Sequence, residues 1–452
     1  MLIKQMWRIG LLLSVMGACV LVIAGSAMGA GFAIIEQSAA SAGYAYAGAA
    51  AVAEDASTIF FNPAGMSLQS GNELQIGGHY IIPKAEFKNQ GSNNGLPPPL
   101  SGPLLGGNGG DAGEAALVPN LFYMHDFSDK WKAGIGITAP FGLVTEYDNG
   151  WVGRYYALKS DLATLNINPS VAYKINDQWS LGVGISFQRV EAELTQAIDW
   201  GTALVSQGLA PPTLSQNLDG TAKIEGDDWG FGANVGLIFE PRPGTRLGLH
   251  YRSQIDHTLE GDATYNTPAQ AAPLAAATGR VNTTVTADVT LPENVSFSGY
   301  HAFNERWAIL ADITWTKWSR LDELRIKFGN GAGDSFDTYN WDDSWRYSVG
   351  GIFKPMEALE LRAGVALDET PIPNEQRRTP RVPGADRTWL TFGAGYQFSE
   401  LIKVDFAYGH LWIDDPKINK DPTEPENRGK GALIGEYDSS IDIISAAISF
   451  QF

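Results

Sequence analysis

Cysteine is almost absent from this sequence, since Cys19 is the only one among its 452 residues. It lies in an apolar run, residues 9–25, which follows a basic start and precedes the small residues of "SAMGAGF". Basic, apolar and small residues in this order are typical of a secretory signal peptide. We therefore predict that residues 1–29 are a signal peptide, with cleavage after Gly29 or, as the alternative, after Ala30, and that the exported chain contains no disulfide.

Long apolar runs are also absent after residue 30, and none reaches the roughly 20 residues of a membrane helix.

Basic residues are in the minority, with 32 Lys and Arg against 50 Asp and Glu, so the formal net charge is −18. Such acidity argues against a nucleic-acid partner, which requires a basic surface. The 6 histidines show no metal-binding spacing, and no nucleophile with a neighbouring base stands out. We expect no metal, no cofactor and no enzymatic activity.

Alternating apolar and polar residues are the dominant pattern after residue 72. In "TLNINPSVAYKI", residues 164–175, Leu165 and Ile167 share one face, while Asn166 and Asn168 share the other. A period of two residues indicates β-strands. Fourteen segments of this kind begin near residues 73, 117, 131, 164, 179, 223, 245, 283, 307, 341, 359, 387, 401 and 437.

The connections between these segments alternate between short and long. The short ones include the related turns "FSDKW", "INDQW" and "FNERW", which begin at residues 127, 175 and 303. The long ones span roughly residues 83–116, 144–163, 195–222, 261–282, 327–340, 369–386 and 414–436. This layout predicts an antiparallel outer-membrane β-barrel over residues 73–452, with the Trp of each turn at the membrane–water boundary. The alternative is a soluble β-sandwich with Trp in its core, but the polar faces are mostly Gly, Ser and Asn, which suit a wide, wet lumen better.

Residues 30–72 are different, because they are rich in Ala, Gly and Ser and do not resemble a strand. A sheet in lipid must close, and fourteen strands enclose more space than the side chains of the wall fill. We predict that this segment folds as short helices inside the lumen, with Asn62-Pro63 as a turn or helix-start signal. A disordered linker is the alternative, although the apolar content of the segment argues against disorder.

Ten features of the sequence, in chain order, match one known family: "GFAIIEQSAASAGYAYAG", "AEDAST…NPAGM", "VPN", "FGLVTEYD", "DDWGFGANVG", "LPENVSFSGY", "TWTKWSRL", "LDETPIP", "PGADRTWL" and the aromatic C-terminus. In these stretches the sequence resembles the FadL-type family of long-chain fatty acid and hydrocarbon transporters of Gram-negative outer membranes. The resemblance implies an all-β fold, namely a 14-stranded antiparallel transmembrane β-barrel plugged by an N-terminal hatch. It also implies a monomer in outer-membrane lipid that moves a hydrophobic ligand passively. The hatch residues singled out are Phe32, Asp55, Asn62, Pro63 and Ala64.

The alternation of the third strand breaks in "GIGITAPFGLVTE", residues 134–146. Proline has no N–H to donate to a β-ladder, and glycine permits an unusual backbone. In the family, the third strand kinks inward and leaves a side window. The resemblance therefore assigns Pro140, Phe141 and Gly142 to a lateral opening, while an ordinary bulge at the barrel rim is the alternative.

Two long loops carry apolar residues that are expected to avoid water. Exposed apolar patches commonly mark binding sites, and the resemblance implies that these loops form an outer groove that captures the ligand. The predicted groove residues are Leu204, Val205, Leu209, Leu214, Tyr265 and Leu274. The alternative is that the two loops pack only on each other.

A carboxylate ligand would prefer a cation at an inner site. The basic positions expected in fatty-acid members of the family fall near Gln196 and Thr338, and neither is basic. Arg346, Arg378 and Arg387 are the other candidates for a carboxylate partner, unless they pair with acidic residues at the rim.

These patterns predict passive transport of a hydrophobic compound. Long-chain fatty acids are the first choice, and monoaromatic or alkane hydrocarbons are the alternative. A general porin needs an open lumen, which residues 30–72 would obstruct. An energised receptor needs a full plug domain, and a structural or adhesive barrel needs neither apolar loops nor a broken strand. The sequence leaves the identity of the ligand open.

Overall fold

Antiparallel strands dominate the computed structural model, which describes residues 31–98 and 100–452. The predicted signal peptide, with Cys19, lies outside the described residues. In chain order the strands are β1 (Glu73–Asn89), β2 (Ala116–Asp126), β3 (Trp131–Thr138), β4 (Gly142–Glu146), β5 (Lys159–Lys174), β6 (Trp179–Asp199), β7 (Asp219–Arg242), β8 (Thr245–Arg252), β9 (Ile255–Asn266), β10 (Thr283–Leu291), β11 (Asn294–Ala302), β12 (Trp307–Thr316), β13 (Glu323–Phe328), β14 (Ser335–Thr338), β15 (Ser344–Met356), β16 (Leu359–Asp368), β17 (Arg387–Ser399), β18 (Ile402–Ile413), β19 (Lys417–Asn419) and β20 (Ile434–Gln451). Among the described residues, no helix is both long and apolar enough to cross a membrane.

The strands form one closed barrel. Neighbours pair antiparallel all the way round, and the seam is closed by β1 and β20, from Glu73↔Gln451 to Asn89↔Gly435. Five barrel strands are interrupted, so each consists of two pieces: β3 with β4, β8 with β9, β10 with β11, β12 with β13, and β14 with β15. With β19 as a short strand in a loop, the barrel has fourteen strands, and the predicted fold is confirmed.

The side chains of the barrel have the polarity expected in lipid. Along β6, Val183, Ile185 and Phe187 point outward and are exposed, whereas Ser186 and Gln188 point inward and are buried. Apolar residues outside and polar residues inside are the pattern of a transmembrane barrel and the reverse of a soluble sandwich.

The tryptophans of the three related turns lie on the outer surface at the starts of their strands. Each packs against the aromatic residue directly opposite on the next strand, with the rings tilted for Trp131 and stacked for Trp179 and Trp307. The ring centroids are 4.5 Å apart for Trp131 and Tyr173, 4.3 Å for Trp179 and Phe239, and 4.2 Å for Trp307 and Phe353. These cross-strand pairs combine aromatic packing with the amphipathic position that Trp favours at a membrane boundary.

The strands extend further into the predicted long loops than the sequence suggested. The loop expected at residues 195–222 is shorter, because β6 continues to Asp199 and β7 begins at Asp219. Charged residues occupy the outer face in these extensions, as in the ion pair between Lys223 Nζ and Glu193 Oε2 at 2.9 Å. The loss of outward apolar residues there marks the end of the lipid zone and not the end of the strand.

The helices are short. They are α1 (Ala39–Ala42), α2 (Ala49–Val52), α3 (Thr58–Phe61), α4 (Trp200–Ser206) and α5 (Ala272–Ala277), with 3-10 helices at Pro63–Leu68, Pro212–Leu214, Ala269–Ala271, Trp318–Arg320 and Pro425–Asn427. The first three helices and the first 3-10 helix pack inside the barrel, against β5, β6, β8, β11, β17 and β18. In the turn before α3, Asp55 Oδ1 accepts a hydrogen bond from Ser57 N at 2.9 Å. We refer to residues 31–72 as the hatch.

Asn62 fixes the centre of the hatch through its side-chain amide. Its Oδ1 accepts a hydrogen bond from Ala64 N at 3.1 Å and caps the 3-10 helix that Pro63 begins. Its Nδ2 donates to the carbonyl of Ala50 at 2.7 Å and to that of Leu237 at 3.2 Å. Because Leu237 belongs to β7, this one side chain joins two parts of the hatch to the wall.

Glycines on the inner face of the wall allow the hatch backbone to approach closely. A Cβ atom at Gly236 would overlap Oδ1 of Asn62, and one at Gly248 would overlap the carbonyl oxygen of Ala50. The interpretation of inward glycines as the lining of a wet lumen is therefore wrong at these positions, where they are contacts with the hatch.

Candidate functional site

Among the cavities lined by the described residues, four follow the lumen, and the first of these lies among the long loops. This outer groove has a volume of about 560 Å³. Its lining includes Trp200 of α4, Leu274 of α5, Tyr265 at the end of β9, and the cations Arg280 and Lys430. The Arg280 guanidinium lies 5.5 Å from the centre of the Trp200 ring. The groove therefore presents apolar and cationic groups to a ligand, beside the carboxylates of Asp199, Asp334 and Glu426.

The predicted groove residues have different surroundings. Tyr265 and Leu274 line the groove. Leu204 and Val205 are buried on α4, where Leu204 packs with Trp200 beneath the groove. Leu209 is 67% exposed and Leu214 is half-buried, and neither is among the lining residues.

A neck of about 30 Å³ lies next to the outer groove. Arg381, from the loop between β16 and β17, enters the neck and donates hydrogen bonds to Ser160 Oγ at 2.9 Å and to Gln196 Oε1 at 3.2 Å. Burial lowers the pKa of Arg381, and the charge of Asp337 opposes this effect. The guanidinium nevertheless stays charged at neutral pH. Lys430, which lies 3.5 Å from Asp337, is the second cation of the neck.

The third cavity, the apolar chamber, follows the neck and has a volume of about 110 Å³. Arg381 lines the neck and the chamber, and Ile224 lines the groove, the neck and the chamber, so the three cavities adjoin one another. Most of the chamber's lining is aliphatic, including Leu162, Val190, Leu194, Leu259, Val285 and Ile326. An apolar cavity with a buried cation at its entrance suits an amphipathic ligand.

A change of polarity along β6 explains why the chamber is apolar. Its inward residues are polar or glycine up to Gln188, and then become Val190, Ala192 and Leu194. Its outward residues change in the opposite sense, from Phe187 to charged residues such as Glu191. The chamber therefore lies at a level where the outer face of the strand is no longer suited to lipid.

An aromatic barrier closes the inner end of the apolar chamber. Phe32 of the hatch lies with its ring centroid 4.9 Å from that of Trp318, 6.0 Å from that of Phe141 and 6.0 Å from that of Trp341. Phe32 lines the apolar chamber, while Phe141 and Trp318 line the next cavity. These rings separate the two spaces.

The fourth cavity, the polar chamber, has a volume of about 120 Å³. Its charged lining residues are Glu36, Arg252, Asp312, Arg346, Asp368 and Arg387. Arg387 Nη2 lies 2.6 Å from Asp368 Oδ2. Pro140 and Phe141 also line the chamber, which places it directly behind the break in the third barrel strand.

The break lies between β3 and β4. The ladder of β2 with β3 ends at Leu121↔Ile137, and β4 pairs with β5 on its other side. Hatch residues take the place of a neighbouring strand: Ile34 N donates to the carbonyl of Pro140 at 2.8 Å, and Gly142 N donates to the carbonyl of Phe32 at 2.9 Å. Pro140, Phe141 and Gly142 thus lie where the wall is completed by the hatch.

The three arginines predicted as carboxylate partners do not share one site. Arg346 and Arg387 line the polar chamber. Arg378 donates to the carbonyls of Gly384 at 3.0 Å and Lys417 at 2.5 Å, so it holds two loops together. The described residues contain no cluster of three or more His, Cys, Asp or Glu side chains suited to a metal ion.

Comparisons with known proteins agree with this architecture. The family model described as "Outer membrane protein transport protein (OMPP1/FadL/TodX)" matches residues 20–452. The long-chain fatty acid transport protein of Salmonella typhi is 31% identical over 400 residues, which cover 86% of this chain and 89% of that protein.

Two solved structures are similar as well. A FadL homologue from Pseudomonas aeruginosa is 25% identical with a TM-score of 0.84, and the match covers 93% of this chain and 99% of that one. The Pseudomonas putida toluene transporter TodX is 19% identical with a TM-score of 0.63, with 88% and 94% covered, which shows a shared fold. This chain therefore belongs to the FadL/TodX family of outer-membrane transport proteins, which carry hydrophobic compounds and are not enzymes.

Proposed function

We propose that this protein carries long-chain fatty acids across the outer membrane. The observation that supports this ligand most is the junction of the neck and the apolar chamber. There, Arg381 borders a cavity lined mostly by aliphatic side chains, and Lys430 lies in the adjoining neck. A fatty acid has the same two parts, since its carboxylate matches the cations and its chain matches the apolar walls.

The relatives add support at a coarser level. The Salmonella typhi protein carries the name of a long-chain fatty acid transporter. The toluene transporter is too distant to suggest a ligand for this chain. Monoaromatic hydrocarbons nevertheless remain the second candidate, because such a ligand would need the apolar walls of the chamber and not the cations.

The size of the cavities constrains how a long chain would bind. The apolar chamber, at about 110 Å³, is smaller than the cavity of roughly 150 Å³ that accepts benzene in an engineered protein. A long acyl chain therefore occupies the chamber, the neck and part of the groove together, or displaces the aromatic barrier. Ile224 borders the groove, the neck and the apolar chamber, so these three cavities adjoin and one chain can extend through them.

The proposed path has four steps. The outer groove captures the ligand, the neck and the apolar chamber take it in, residues 31–37 of the hatch move away from the break, and the ligand leaves sideways past Pro140, Phe141 and Gly142. No covalent step is needed. The driving force is the concentration gradient of the ligand together with its consumption inside the cell.

The Arg381→Gln variant tests the ligand. We expect uptake of labelled oleate at low concentration to fall about tenfold or more, because a charge-assisted hydrogen bond contributes roughly 1.5–3 kcal/mol. Uptake of labelled toluene should stay unchanged in the same cells. The control is Arg325→Gln, since Arg325 pairs with Glu323 on the surface of the barrel and lies outside the four cavities.

Other outcomes would reject fatty acids as the ligand. Toluene uptake that depends on the wild-type protein, without oleate uptake, would indicate a hydrocarbon channel. Large open conductance steps in a planar bilayer would indicate a porin, because a barrel closed by its hatch conducts little.

A further inference from the structure

The polar chamber contains a buried cation whose donors are only partly used. Arg346 is buried, and its Nη2 donates to the carbonyl of Ala45 in the hatch. Its Nε and Nη1 have no hydrogen-bond partner among the described residues. Buried donors without acceptors are costly, so such donors in a cavity mark a place where a bound group supplies the acceptors.

The other cations of the chamber are already engaged. Arg252 donates to the carbonyl of Phe60 at 2.8 Å and lies over the Phe60 ring. Arg387 is paired with Asp368. Arg346 therefore keeps two nitrogens, Nε and Nη1, for a ligand, and this fork matches the two oxygens of a carboxylate.

Glu36 provides a second polar group on the hatch side of the chamber. It is buried, and its Oε2 has no hydrogen-bond partner among the described residues. Burial raises the pKa of Glu36 to about 7, against the opposing charges of Arg387 and Arg346 and with the support of Asp368. A carboxyl group that is partly protonated at neutral pH can donate its O–H to a neighbouring carboxylate.

We propose that the polar chamber is a second carboxylate-binding site, in which Arg346 and Glu36 hold the head group of a fatty acid after it has passed the aromatic barrier. This second site rests on the proposed function, because it assumes that the ligand is a fatty acid. The acid would be bound first at Arg381 and Lys430 in front of Phe32, and then at Arg346 behind it. A neutral hydrocarbon has no charged group that could bind at either of these two sites.

The experiment uses the purified full-length protein in detergent with oleate labelled with carbon-13 at the carboxyl carbon. We expect two carboxyl resonances of bound oleate in the wild-type protein. Arg346→Gln should remove one of them and keep the other, which also shows that the variant is folded. Arg381→Gln should remove the other resonance. Arg252→Gln removes an engaged cation from the same chamber and should keep both.

Two results would overturn the second site. Both resonances could persist in Arg346→Gln, or the wild-type protein could show a single resonance that Arg381→Gln abolishes. A wild-type protein without any resonance of bound oleate would overturn the proposed function as well. The failure of the site and the failure of the function are therefore distinguishable.

Discussion

Leu274 and Leu209 are both apolar residues of long loops, yet their surroundings differ. Leu274 lines the outer groove, whereas Leu209 is largely exposed. We expect Leu274→Asp to lower oleate uptake at low ligand concentration several-fold, because the substitution places a charge opposite an anionic ligand in an apolar wall. Leu209→Asp is the matched control and should have little effect. Equal uptake by the two variants would show that the groove does not capture the ligand.

The cation of the neck could not be predicted from the sequence. A cation near Gln196 was expected from the family and was missing, and the structure places Arg381 there, 185 residues further along the chain. Several arginines lie in "RRTPRVPGADR", and no local pattern distinguishes the one that enters the neck from Arg378, which holds two loops together. Long-range packing of a loop, and not the spacing of residues, decides between them.

Hatch residues 32–34, which bond to the break, must move if the ligand leaves there. Ala33 lies opposite Phe141, flanked by the bonds from Ile34 N and Gly142 N. In such a non-hydrogen-bonded antiparallel pair the Cα atoms are about 4.5 Å apart, which permits a disulfide. We expect the double variant Ala33→Cys, Phe141→Cys to lose oleate uptake when oxidised and to regain it in reductant.

The two single cysteine variants serve as controls for that experiment, because they change the same side chains without the cross-link. The exported chain is expected to contain no cysteine of its own. Undiminished transport by the oxidised double variant would show that the ligand does not need this segment of the hatch to move.

Elements were largely predictable because the period of two persists along the strands. The predicted first residue is the observed one in several strands, among them β3, β6, β12 and β16. Strand ends were less predictable, as in β6, where the alternation continues but the apolar residues change from the outer to the inner face after Gln188. The prediction relied on outward apolar residues, and these stop at the edge of the lipid zone. It therefore did not include the extension of the strand or the inward apolar residues that form the wall of the apolar chamber.

At the scale of the whole molecule, a buried cluster of charges ties the hatch to the wall. Arg362 of β16 contacts Asp405 of β18 at 2.5 Å, Glu54 of the hatch at 2.5 Å and Glu360 at 2.6 Å. Lys403 Nζ lies 3.2 Å from Glu54 Oε1. Glu54 is therefore the member of the cluster that holds the hatch, while residues 31–37 contact the break.

We expect Glu54→Gln to lower the temperature at which the barrel unfolds in detergent, because breaking a buried ion cluster typically costs about 3–5 kcal/mol. The same variant should conduct more ions in a planar bilayer, since the hatch loses its tie to β16 and β18. The control is Glu323→Gln, which removes an exposed ion pair and should change neither property. Unchanged unfolding and conductance in Glu54→Gln would show that other contacts suffice to hold the hatch.

The contacts of the hatch also have a consequence for assembly. The hatch precedes the barrel in the chain, yet Glu54 bonds to Arg362 and Lys403, which follow it by 308 and 349 residues. Contacts between such distant residues form late and slowly. The hatch therefore does not gain these two ionic partners until β16 and β18 have been exported. The interval between export and closure is accordingly when this chain is most prone to aggregate.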